Sequence, residues 1–118
     1  MNDNDLSELE ANIERTISKL GYKLMGNKNG FDLCAKQNGT FKDRYLAIDF
    51  IIDDNVRADN VLNFLDKLRK YRKILSEEYT VGWSLEGIIY YTGELPPNIA
   101  SLAESLKDSK LKFTFNKL

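Results

Sequence analysis

Residues 45–52 read YLAIDFII, the most apolar eight-residue run in the chain, with an aspartate, Asp49, in its middle. Near-continuous hydrophobicity of this length is the pattern of a strand buried on both faces and covered by helices. An ionised carboxylate in such a strand costs several kcal/mol unless it has a partner, a metal ion or a raised pKa. The stretch therefore predicts a central strand and makes Asp49 the residue whose partner must be found.

Outward from this strand, the chain divides into short periodic segments. Upstream, Leu6, Leu9, Ile13, Ile17 and Leu20 recur at spacings of three and four, which predicts a helix over 5–20. Ser7 and Glu10 have the spacing of a capping box, and Gly21 is a natural stop. Strands are expected at 22–25 and 31–36, separated by the turn-forming run GNKNG. Gln37-Asn38-Gly39 is a hairpin signal leading back into the central strand.

Downstream, residues 58–76 predict the longest helix, with Val61, Phe64, Leu65, Leu68, Tyr71 and Leu75 on one side and Lys67, Lys70 and Lys73 on the other. A strand is expected over 86–92, with a start as early as 80–83. Pro96-Pro97 opens a short helix to about Leu106, since proline is tolerated in a first turn. The final strand, LKFTFN at 111–116, alternates apolar and polar residues as a half-exposed edge does. The order is α-β-β-β-α-β-α-β. The strand–helix–strand passage at 45–92 predicts a mixed sheet with helices on both faces.

Bulk properties narrow the function classes. A chain of 118 residues, 42% hydrophobic and 30% charged, is one domain spanning 1–118, with enough length to bury roughly two-thirds of its unfolded surface. No window approaches the roughly 20 apolar residues of a membrane helix, and the acidic N-terminus has no secretory pattern. The single cysteine, Cys34, cannot form an internal disulfide and reads as a buried thiol, so a reducing cytoplasmic setting is expected. Histidine is absent, which excludes Cys/His zinc sites and His-based triads. Catalysis would have to use carboxylates, lysine, tyrosine, serine or a hard metal ion. A net charge of −1 gives no global basic field, although DKLRKYRK at 66–73 is locally basic.

The element order and the acids in GFDLCAK and LAIDFII resemble the restriction-endonuclease-like, or PD-(D/E)XK, nuclease superfamily, most closely its small archaeal and bacterial members. The resemblance spans nearly the whole chain and lies in layout rather than in a long identical motif. It implies that Asp32 and Asp49 are the two acids that hold Mg²⁺ or Mn²⁺, with Glu10 or Glu14 as an additional acid from the first helix. Such a pair suits phosphodiester cleavage, where a hard cation neutralises developing charge and acidifies water.

The pattern breaks at its third position. Ile51 stands where the family has a lysine, on the same side of the strand as Asp49. Lys36 is one substitute, roughly 13 Å along its strand from Asp32. Lys67 and Lys70 are others, the family being known for residue migration. The expectation is a degenerate, non-catalytic domain associated with nucleic acid through Lys67, Lys70 and Lys73. The alternatives are an active nuclease with a relocated lysine, or an interaction module that forms a homodimer along a sheet edge. Each residue also has a bland reading. Asp49 could be a satisfied structural carboxylate, the basic run a solvated helix face, and Tyr79, Trp83, Tyr90 and Tyr91 sheet aromatics rather than stacking platforms.

Overall fold

The computed structural model describes residues 3–107 and 111–118. Its elements are α1 (Asp3–Lys19), β1 (Lys23–Gly26), β2 (Leu33–Gln37), β3 (Asp43–Ile51), α2 (Ala58–Glu78), β4 (Trp83–Tyr91), α3 (Pro97–Leu106) and β5 (Lys112–Lys117). This is the order expected from periodicity. The strands form one five-stranded sheet in the order β1-β2-β3-β4-β5. The first three strands run antiparallel as consecutive hairpins, and β3, β4 and β5 run parallel. The parallel half follows from its connections, since only a long crossover such as α2 or α3 brings the chain back to the same end of the sheet. Among the described residues, no helix is long and apolar enough to cross a membrane.

Helices lie on both faces, as residues 45–52 predicted. On one face α2 and α3 bury Val61, Phe64, Leu65, Leu68, Tyr71, Leu75, Ile99 and Ala103 against Ala47, Ile89 and Phe113. On the other, α1 sets Ile13 and Ile17 over Leu33, Ala35, Leu46 and Ile48. Gly87 marks how closely α2 approaches the sheet: a Cβ there would lie 2.7 Å from the Phe64 ring. Any side chain at that position would push the helix off β4.

Several boundaries differ from the expectation for identifiable reasons. α1 starts at Asp3, so Ser7 lies within the helix and caps nothing. Residues 3–12 contain no glycine, proline or β-branched residue to delay helix formation. Leu20 is 64% exposed because the helix ends at Lys19 and the chain turns through Gly21 at φ 93°. β2 begins at Leu33 rather than at residue 31, because the Asp32 carboxylate takes the Phe50 N–H that a longer ladder would have used.

Candidate functional site

The site forms where β2 and β3 stop pairing. The ladder's last partners at this end are Leu33 and Ile48, and the next residues on each strand are Asp32 and Asp49. Their side chains continue the sheet's bonding in place of the backbone. The Asp32 N–H donates to Asp49 Oδ1 at 2.9 Å, and the Phe50 N–H donates to Asp32 Oδ2 at 2.8 Å. Two carboxylates from adjacent strands are thereby held together by the closing bonds of the sheet.

A third group enters from α2. Lys67 Nζ donates to Asp49 Oδ2 and, at 2.9 Å, to the carbonyl of Gly30. Its aliphatic stem crosses the turn before β2, where Gly30 has φ 83° and a Cβ would sit 3.1 Å from Lys67 Cδ. The ammonium lies 5.0 Å from the centre of the Phe31 ring. Asp49 and Lys67 retain side-chain exposures of 17% and 28%, so the pair is largely but not wholly dry.

Burial pushes the Asp49 carboxyl above its ordinary range; the Lys67 ammonium and the Asp32 amide pull it down without cancelling that shift, and the Asp32 charge adds to it. Across the sheet, burial also raises the Glu10 carboxyl on α1, with the charge of Asp32 as the next cause and Glu14 after it. Asp32 is thus the exposed acid between two partly desolvated ones.

A pocket of about 220 Å³ opens over this pair, lined by Asp32, Asp49, Ile51, Asn60, Asn63 and Lys67 with apolar walls. Asn60 accepts the Arg57 N–H at 2.8 Å, which closes the first turn of α2. Both asparagines were missed in the sequence. Their signal was the spacing of Asn60, Asn63 and Lys67, which places the three on one helix face.

The remaining expected residues lie elsewhere. Lys36 is 3.7 Å from Asp43 and covers the Tyr45 ring at 5.3 Å, away from the acids. Lys70 is exposed and pairs with Asp66 at 2.9 Å; Lys73 is exposed on the same outer side. Lys67 therefore separates from the two lysines with which the sequence grouped it. Tyr90 stacks on Phe50 at 5.9 Å between centroids, Tyr91 meets Phe115 edge-on, and the Trp83 indole donates to the Tyr79 carbonyl. Cys34 is fully buried, and burial raises its thiol.

Asp32 and Asp49 offer the carboxylate oxygens that a hard divalent ion takes as ligands. Asp32 Oδ1 has no protein partner among the described residues, whereas each Asp49 oxygen already accepts one hydrogen bond and keeps a single lone pair for an ion. Among the described residues, no group of three His, Cys, Asp or Glu side chains is placed to hold a metal ion. Water would have to complete the coordination, as it commonly does for Mg²⁺. Compared with family models, curated proteins and solved structures, the chain matches none of them.

Proposed function

We propose that the pocket of Asp32, Asp49 and Lys67 is a metal-dependent phosphodiester-cleaving site of the restriction-endonuclease-like kind, with its lysine supplied by α2 instead of β3. The observation that carries this reading is Lys67 Nζ, brought onto Asp49 beside Asp32 while Ile51 lines the same pocket. Mg²⁺ or Mn²⁺ would supply neutralising charge and acidify water. Asp32 and Asp49 would provide its protein oxygens. Lys67 would donate to a phosphate oxygen as charge develops there, an effect strengthened where water is scarce. The Asn60 and Asn63 carboxamides are further neutral groups at the mouth of the pocket.

One observation favours a second reading, a non-catalytic domain that still associates with nucleic acid. Both oxygens of Asp49 and one of Asp32 are engaged within the protein, so the acids also serve to close the end of the sheet. Calorimetric titration of Mn²⁺ separates the two readings. Binding that is lost in both Asp32→Ala and Asp49→Ala, together with Mn²⁺-dependent cleavage of DNA or RNA, supports the first. No heat at millimolar metal supports the second.

A further inference from the structure

On the sheet face that carries α1, the helix packs over β2 and β3 and reaches Ile88 of β4, while Glu86 at the start of β4 and Lys112, Thr114 and Asn116 along β5 stay exposed. At the β3 start of this open strip lies a groove of about 700 Å³ whose lining includes Phe41, Lys42, Arg44, Ser84, Glu86 and Lys112. Phe41 is 93% exposed. At the other end, Phe50 and Tyr90 sit side by side on neighbouring strands, half-buried, with their rings 24° from parallel. Phe50 lies six strand steps beyond Arg44, a run of about 20 Å.

The chemistry of this strip is specific. Three cations face one carboxylate, Glu86, in a chain whose net charge is −1. An isolated exposed phenylalanine carries little meaning. Here the exposed ring lines a groove with three cations, and the Phe50–Tyr90 pair, packed at the edge of the α1 cluster, lies at the far end of the same face. Cations spaced for phosphates with rings offered to bases are the elements by which proteins hold single strands without reading their sequence. A duplex keeps its base faces stacked and offers these rings nothing.

We propose that the groove and the exposed strip along β5 are a track for a single-stranded nucleic acid, with phosphates at Lys42, Arg44 and Lys112 and bases against Phe41 and the Phe50–Tyr90 pair. The track goes beyond the reading of the acid pocket and stands without it, because its cations and Phe41 lie at the opposite end of the strands from Asp49.

Fluorescence anisotropy with labelled oligothymidylate and oligouridylate, on the full chain in EDTA so that no cleavage intervenes, tests the proposal and separates DNA from RNA. Binding is expected to weaken with salt, with a log–log slope of about −2 for three phosphate contacts. Phe41→Ala should weaken it about tenfold, the loss of one base–ring stack. Joint reversal of Lys42, Arg44 and Lys112 to glutamate should abolish it. Lys117→Glu, on β5 but off this face, should leave it unchanged; melting curves establish that each variant folds. Three results would overturn the proposal: no binding of either oligomer, binding indifferent to Phe41 and the three cations, or a duplex that competes as well as the single strand. A sedimentation mass showing a dimer that loses its association on Phe41→Ala would overturn it too, assigning the strip to a second copy of the chain.

Discussion

Lys67, eighteen residues beyond Asp49 in the chain, reaches back across the sheet–helix interface to the one carboxylate in the apolar run of residues 45–52. That contact answers the question raised by YLAIDFII. The charge is tolerated because it has an ammonium on one oxygen and a backbone amide on the other.

Removing the ammonium should expose the cost of the buried charge. Lys67→Met keeps the stem and deletes the donor, leaving Asp49 with the Asp32 amide alone. Breaking a fully buried pair from one side costs about 3–5 kcal/mol, and the residual exposure here scales that to about 1–3 kcal/mol. Urea denaturation should show the loss, and the double variant Asp49→Asn/Lys67→Met should recover part of it.

The Asp49 carboxyl is raised in the folded state, so the sign of its pH dependence follows. Its contribution is fully present below the ordinary carboxylate pKa and is lost as pH rises through the higher folded value, because ionisation is then harder in the protein than in the open chain. Asp49→Asn still accepts the Asp32 N–H and removes the buried charge. Its melting temperature relative to the parent should therefore climb as pH rises from about 4 to 7. A difference that stays flat across this range would place the Asp49 pKa at its unfolded value.

A stability gain at a site residue is expected when a charge is retained for chemistry. Under the proposed function, Lys67→Ala should reduce Mn²⁺-dependent cleavage by about 10²–10³-fold, the typical cost of one electrostatic donor. Adding Ile51→Lys to that variant puts an ammonium back on the same strand face as Asp49 and should restore part of the rate. Initial-rate assays on the single and double variants test this, and a parent protein with no cleavage leaves only the structural role.

Packing against β4 gives a prediction independent of function. Gly87→Ala would place a methyl group 2.7 Å from Phe64 Cε1 and 3.1 Å from Leu68 Cδ2. Overpacking of this kind costs about 1–3 kcal/mol. Pairing it with Phe64→Leu, which vacates the contacted ring edge, should lessen the loss measured by chemical denaturation.

Local patterning carried most of the architecture. The six apolar positions of α2 recur at helical spacing and all six are buried, because one amphipathic stripe has only one way to face a sheet. The order of strands and helices and the double-sided burial of β3 followed from periodicity and hairpin signals within short stretches, while the pairing of Asp32 with Asp49 was what the family resemblance implied. Lys67 is different. It lies three residues after Phe64 and four before Tyr71, on the border of the buried stripe, and also three residues before Lys70. Its spacing is compatible with either side of the helix. What decides its direction is the Gly30 carbonyl and the Asp49 carboxylate, supplied by segments 37 and 18 residues away. The exposed β5 side of the α1 face was equally illegible: one helix cannot cover five strands, and only the packed sheet determines which of them stay open. Secondary structure is written in neighbours along the chain, whereas the partner of a buried charge and the uncovered part of a sheet depend on which neighbours meet in space.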